Sequence, residues 1–463
     1  MVDTDPPYPS KVGVDVPDDW DPPNVVFVIA DDLGRSDIGC YGGDLIPTPH
    51  MDRLAAEGMR FTDCYGGHPV CAPSRDALMT GRHTGHTTLR DNMGDVGGMR
   101  TVDERSLQKR VGLADDDTTI AEVLSEAGYA TGAAGKWGLG EPGTDATPTR
   151  KGFDTWFGYL NQRRAHTYYP PHLWEDETRI EYPGNTTGTG DAPGEGNAAD
   201  DGPYSHDLIE DFAIEFIEER ATAGERFFAY LPFTLPHSEL VVPEYEPFVE
   251  DDWSDAEKAY ASMVSRFDQA VGRVLEALEE AGVDGETAVF VTVDHGGDDH
   301  PAEPFSSTDP LTGYKRDLYE GGIRVPMLAR WPGSIPAGEV CEAPVYFADV
   351  FPTLAEMAGR PQPSIPGDVD GISILPTLLG ESQDGLRNRY LYWEDPGDGL
   401  GQAARYGDWK AVRPDRGSET ELYDLAADER EDHDVSEDHP GIVARFERFF
   451  ADAHEESPHW PTW

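Results

Sequence analysis

Apolar runs with no polar alternation punctuate this chain, and amphipathic stretches lie between them. Asn24 to Ala30 is uniformly hydrophobic after its first residue, the pattern of a strand covered on both faces. Tyr129 to Ala134, Phe227 to Leu231 and Ala288 to Val293 read the same way. Helical spacing runs over Ile120 to Ala127, Leu208 to Glu219 and, at greatest length, Ala256 to Glu280. The alternation predicts an α/β fold: a large, mostly parallel sheet flanked by helices on both faces. Each apolar run leads into polar residues: Asp31-Asp32, Lys136, His237 and Asp294-His295. Open sheets of this kind bind ligands at the carboxyl ends of their strands.

The texture changes near Arg389. Tyr390 to Trp393, Ala403 to Tyr406, Trp409 to Val412 and Leu422 to Leu425 are short strand-like runs, followed by a helical pattern over Ile442 to Ala453. A smaller C-terminal antiparallel sheet with a closing helix is expected there. The domain reading is therefore an acidic, proline-rich tail over 1–22, a catalytic domain over 23–385 and a small subdomain over 386–463. Within the second, 184–203 has the glycine-rich composition of a mobile surface loop.

Charge adds a constraint of its own. Against 89 acidic residues stand 36 basic ones, a formal net charge of −53 spread along all 463 residues. That balance excludes nucleic acid and anionic membrane surfaces as partners. It fits a protein kept soluble in concentrated salt, where screening shortens the Debye length to about 3 Å at 1 M. A disordered acidic chain is the alternative, which 38% hydrophobic and 10% aromatic residues argue against. The four cysteines form no C-x-x-C pair and no disulfide framework. With neither a signal peptide nor a membrane span in view, a high-salt cytoplasm is the expected compartment.

Chemistry concentrates in Cys71-Ala72-Pro73-Ser74-Arg75, placed where a loop turns into a helix. Proline suits a first helical turn, and a helix N-terminus beside an arginine attracts anions. A small buried cysteine with a structural arginine is the plainer reading of the same residues. Asp31-Asp32 and Asp294-His295 invite a hard divalent cation, because paired carboxylates repel without one. Lys136, flanked by Gly135 and Gly138, is either an ordinary turn or an open approach to an anion. His237 reads equally as a surface imidazole. Lys315 and its segment through Pro326 stand out in a chain that nearly excludes lysine.

Together these segments resemble the formylglycine-dependent sulfatases of the alkaline phosphatase superfamily, over about Val25 to Phe450. The resemblance rests on Cys71 to Arg75 with Thr80-Gly81-Arg82, Asp31-Asp32, Gly135-Lys136-Trp137, Asp294-His295-Gly296 and Lys315 through Pro326, with a weaker C-terminal match at Leu422 to Leu425. It implies that a separate maturation enzyme oxidises Cys71 to formylglycine, whose hydrate is the nucleophile towards a small-molecule or glycan sulfate ester. It implies one divalent cation, calcium first with manganese or magnesium as alternatives, held by Asp31, Asp32, Cys71, Asp294 and His295. Arg75, Lys136 and Lys315 would neutralise sulfuryl oxygens and the hydrate, with His237 a proton donor near the leaving group.

Two positions depart from the family pattern. Gly138 stands where many members carry histidine, and His166 is the residue suggested to take over part of that work, or to contact substrate. His295 stands where asparagine is commoner, which moves the ligand set towards manganese. An Asp-His pair is also found in phosphonate and phosphodiester hydrolases and in choline sulfatases, the alternative activities on the same site. A non-catalytic anion- or glycan-binding protein, with Cys71 never converted, is the reading from outside enzymology.

Overall fold

The computed structural model describes residues 20–92, 99–100, 109–185, 202–299, 304–305, 307–360, 368–397 and 399–460. Most of the expected 1–22 tail and most of the 184–203 loop lie outside the described residues. At the centre, the strands Thr287–Val293, Asn24–Ala30, Phe227–Pro232, Ala130–Lys136 and Thr155–Tyr159 run parallel, in that spatial order. Arg324–Arg330 and Met59–Tyr65 continue one side of the sheet in antiparallel pairing, and Glu339–Cys341 closes that edge. The hairpin His172–Glu175 and Thr178–Glu181 closes the other.

Every residue of Asn24–Ala30 and of Thr287–Val293 is buried, so side chains on both faces of the sheet are covered. Two groups of helices supply that cover. Pro49–Glu57, Ser205–Ala223 and Asp255–Glu280 pack in one, and Cys71–Thr80, Ile120–Glu126 and Val350–Met357 in the other. The first turn of Asp255–Glu280 is closed by a capping box between Ser254 and Glu257. No helix among the described residues is long and apolar enough to cross a membrane.

The strand expected over Tyr129 to Ala134 runs instead over Ala130–Lys136, which makes Lys136 its last residue rather than part of a turn. Glycine permits this. Gly135 has φ +141, and a Cβ there would stand 2.0 Å from the carbonyl oxygen of Pro232 on the neighbouring strand. Gly135→Ala is expected to destabilise the fold by about 3 kcal/mol, because that backbone cannot yield cheaply. A shift of the urea midpoint at constant m-value would show it.

The C-terminal sheet has Tyr390–Asp395, Gly401–Tyr406, Trp409–Arg413 and Glu421–Asp424 in antiparallel sequence order. Helix Pro440–Ala453 packs Phe446, Phe449 and Phe450 on one of its faces. Trp393 and Tyr346 pack on its other face, and the Trp393 indole donates to the carbonyl of Gly66 at 2.8 Å. That contact fastens the small sheet to the loop leading into Cys71.

Candidate active site

Chain ends of the central strands meet at one place. The backbone N–H of Asp31 donates to Leu235 (3.1 Å) and that of Asp294 to Ala30 (3.2 Å), so two strand exits are stitched together. Glycines let the loops close. A Cβ on Gly66 would lie 2.6 Å from the carbonyl oxygen of Asp294, and one on Gly296 would lie 1.8 Å from that of Gly321. Cys71 is the first residue of helix Cys71–Thr80, which is buried along its whole length and ends at left-handed Gly81. Asn92 caps its start, its Oδ1 accepting from Ala72 N–H at 2.9 Å.

The Cys71 Sγ lies 3.3 Å from His295 Nε2 and 3.5 Å from Asp31 Oδ1. His295 Nε2 is also 3.5 Å from Asp294 Oδ1 and 3.5 Å from Asp32 Oδ1. The other ring nitrogen, Nδ1, meets the carbonyl of Gly296 at 2.9 Å. A carbonyl only accepts, so Nδ1 carries a proton there and Nε2 is the atom left to face the carboxylates. The ligand atoms of Asp31, Cys71, Asp294 and His295 all lie within 4.8 Å of one another. Asp294 Oδ1 is fully buried without a hydrogen-bond donor, a state that a cation would relieve. The donor set therefore fits one divalent cation, and Asp32 stands within reach of the same point.

Around these carboxylates stand three cations. Lys136 Nζ bonds Asp31 Oδ2, and Lys315 Nζ lies 2.7 Å from Asp32 Oδ1. Arg75, 0% exposed, spends its guanidinium on Asp294 Oδ2 (3.0 and 3.1 Å), Asp31 Oδ2 (3.0 Å) and the carbonyl of Lys136. It stands beside both carboxylates and holds them in place.

Electrostatics follows from the geometry. Burial would raise Asp31, yet Lys136, His237 and Arg75 together hold it well below the ordinary carboxylate range. Asp294 is pushed up by burial and by the Asp31 charge. Burial would lower His295, but Asp294, Cys71 and Asp32 outweigh it and raise the imidazole to about 10. His237 goes the other way, pushed well down by burial and by Lys315. Its Nδ1 donates to the carbonyl of Ser238, leaving Nε2 3.6 Å from Asp32 Oδ2.

His166 joins the group. Its ring stands edge-on to that of His237, centroids 4.3 Å apart, and burial with the neighbouring His237 and Lys136 pushes it down to about 2. Gly138 is left-handed (φ +74), and a Cβ there would stand 2.3 Å from Gln162 Oε1. The carboxamide of Gln162 thus fills the space beside Gly138, a role that nothing local in the sequence signals. Asp298, 3.6 Å from Lys315 Nζ, was likewise not read from the sequence, and Ser74 of the cysteine motif, given no role there, donates its hydroxyl to the carbonyl of Asp294. The positions two glycines beyond His295 and inside the cysteine motif were the available signals.

The family model described as Sulfatase matches residues 23–360, and that described as N-sulphoglucosamine sulphohydrolase, C-terminal, matches 313–448. N-acetylgalactosamine-6-sulfatase of Canis lupus familiaris is 33% identical over 404 residues, spanning 84% of this chain and 71% of that protein. Arylsulfatase A of Homo sapiens is 33% identical over 404 residues, spanning 84% and 74%. The solved structure of Ps i-CgsB in complex with k-i-k-neocarrahexaose superposes with a TM-score of 0.80 at 27% identity, covering 96% of this chain and 95% of that one. Phosphonate monoester hydrolase of Agrobacterium radiobacter, at 20% identity and a TM-score of 0.64, shares the fold. With its strand-end carboxylates, its buried cysteine and these relatives, the chain belongs to the sulfatase family of the alkaline phosphatase superfamily and is a sulfuric ester hydrolase.

Proposed function

We propose that the protein hydrolyses sulfate monoesters through a formylglycine hydrate made from Cys71 by a separate maturation enzyme. One divalent cation, calcium by the oxygen-rich donor set, would be held by Asp31, Asp32, Asp294, His295 and the side chain at position 71. The observation that carries this reading is the meeting of Cys71 Sγ with His295 Nε2 and Asp31 Oδ1 at a helix start, ringed by Lys136 and Lys315. When bound, the cation supplies Lewis acidity, lowering a hydroxyl pKa and polarising sulfuryl oxygens. Made from Cys71, the hydrate would offer one hydroxyl for attack on sulfur, with the alcohol as leaving group, and a second whose proton loss would re-form the aldehyde as sulfate departs.

The chain's own residues do the rest. Arg75 fixes Asp31 and Asp294, so that their geometry needs no rearrangement during the reaction. Lys136 and Lys315 place positive charge where negative charge accumulates on the transferring group. His237, locked in one tautomer by Ser238, keeps Nε2 facing the site as the group that moves a proton to the leaving oxygen. His166, edge-on to His237, orients that ring and contacts the bound ester.

Peptide mass spectrometry across Cys71 tests the reading on matured, active protein. Conversion removes about 18 Da from the cysteine residue, and an activated nucleophile of this kind requires it. Unmodified thiol in a preparation that turns over sulfate esters would overturn it. The Asp294-His295 pair favours a second reading, phosphonate or phosphodiester hydrolysis on the same donors, and relative kcat/KM on sulfate and phosphonate esters decides between them.

A further inference from the structure

Lys410, on strand Trp409–Arg413, is buried completely between two carboxylates. Its Nζ stands 3.0 Å from Glu320 Oε1 and 2.8 Å from Glu431 Oε1. The second oxygen of Glu431 accepts from the backbone N–H of Glu320 at 2.7 Å. Glu320 Oε2 accepts from the Tyr65 hydroxyl at 2.7 Å and lies 3.5 Å from Arg324 Nη1. Arg405, from the C-terminal sheet, reaches the same hydroxyl and Asp63 Oδ1 (2.7 Å), and Arg324 also pairs with Asp63. Three cations thus meet three carboxylates where the small sheet joins the large one, with Glu429 at the rim, 3.9 Å from Arg324 Nη1. Glu431 holds φ +57, a left-handed backbone that a residue with a side chain keeps only where its surroundings enforce it.

From Glu320 the connection to the active site runs through backbone. Glu320 begins the buried turn Glu320–Ile323, five residues after Lys315. The carbonyl of Gly322 accepts from Gly296 N–H at 2.9 Å, and the carbonyl of Gly296 accepts from His295 Nδ1. Lys315 is tied to the same loop, its N–H donating to Gly297 at 2.9 Å. The turn has no slack, since a Cβ on Gly322 would stand 2.0 Å from the carbonyl oxygen of Asp317. A shift at the Glu320 N–H is therefore passed to His295 and Lys315, the two residues that face Asp32 Oδ1.

We propose that Glu431 and Lys410 are positioning residues for the sulfatase reaction, through which the C-terminal sheet holds the turn Glu320–Ile323 and, with it, His295 and Lys315. The inference rests on the roles given above to those two residues. While Glu431 is ionised, its bond to the Glu320 N–H is charge-assisted and its other oxygen pairs with Lys410. Protonation weakens the first contact and removes the second, leaving an uncompensated cation in a dry interior. Burial pushes Glu431 up to about 7, with Lys410 opposing and the Glu320 charge assisting. Burial would raise Glu320 as well, yet Lys410, Arg324 and Arg405 hold it below the ordinary carboxylate range, so Glu431 is the group that takes the proton. Tyr319 and Tyr423, which share Glu421 Oε2 at 2.7 and 2.8 Å, also face Glu431, and burial pushes both above the ordinary phenol range. The hold is complete above a pH of about 7 and is lost as pH falls through it.

The test uses matured, cation-loaded enzyme with 4-nitrophenyl sulfate. Glu431→Gln keeps an acceptor for the Glu320 N–H and fixes the charge at zero. In wild type, kcat is expected to fall on the acid side of a limb at about pH 7. In the variant that limb is gone, and kcat above it is about tenfold lower with KM within about twofold. A merely structural role would lower activity equally at every pH and keep the limb. Amide exchange followed by mass spectrometry reads the same device without turnover. The peptide from Lys315 to Pro326 exchanges about tenfold faster in the variant, and wild type loosens there likewise as pH falls, after correction for intrinsic exchange. That wild-type comparison stands even where the variant does not fold. An unchanged limb, a loss confined to KM, or unchanged exchange would overturn the positioning role. A wild type that turns over a phosphonate monoester and no sulfate ester would instead overturn the proposed function, and the same profile on the phosphonate then decides the positioning role.

Discussion

Cys71→Ala is expected to fold, to retain its carboxylate cluster and to turn over sulfate esters no faster than background. The Sγ is the only atom removed, from a side chain that is 0% exposed, so the cost in stability is about 1 kcal/mol. The chemical cost is far larger, on the order of 10⁴-fold or more in kcat, the scale on which loss of a nucleophile is felt. Cys71→Ser sharpens the test. Serine offers one hydroxyl at the same place, 3.3 Å from His295 Nε2 in the parent thiol, but no second one with which to release sulfate. It should therefore yield about one equivalent of alcohol per chain and stop, a stoichiometric burst visible by stopped-flow. Normal steady-state turnover by either variant would refute nucleophilic catalysis at this position.

Asp294→Asn is expected to cost nearly as much. Asp294 Oδ2 receives Arg75 from two nitrogens, while Oδ1 faces His295 Nε2 with no donor of its own. An amide at this position removes one of the charges offered to a divalent cation and leaves Arg75 with one carboxylate fewer. Cation content, by elemental analysis after exhaustive dialysis, should fall well below stoichiometry, and kcat/KM should fall about 10²- to 10³-fold. Breaking a buried pair is also destabilising by about 3 kcal/mol, so activity alone would be ambiguous. Melting with and without a chelator separates the two causes. Wild type should lose stability when chelated, by linkage to bound cation, while the variant should not respond. Unchanged cation content would refute the ligand assignment.

Much of the fold was legible because burial on two faces leaves a plain trace. Asn24–Ala30 and Thr287–Val293 are apolar at nearly every position and were readable within a residue of their ends. Met59–Tyr65 was not read. It mixes Arg60, Thr62 and Asp63 with apolar residues, because it lies towards the antiparallel side of the sheet, where one edge is partly open. Arg324–Arg330 was hidden by the motif that contains it, and only its antiparallel pairing with Thr287–Val293 reveals a strand. Of the site, the strand-end residues and the cysteine motif were legible in sequence order. Gln162 and Asp298 were not, since each depends on segments that composition does not connect.

The sequence by itself determined the alternating α/β order, the polar residues at the strand exits, the cysteine at a helix start and the family to which they belong. Those are local or short-range properties, set by periodicity, burial and the chemistry of adjacent side chains. Tertiary structure decided which oxygen faces which cation. It put Arg75 beside Asp31 and Asp294, gave Lys136 to Asp31 and Lys315 to Asp32, and set His166 against His237. Asp31 and Asp294 lie 263 positions apart in the chain, and only the parallel pairing of their two strands brings them together. Their electrostatics follows from that meeting, because in a dry interior a charge is set by the neighbours at 3 to 4 Å and not by its own sequence context.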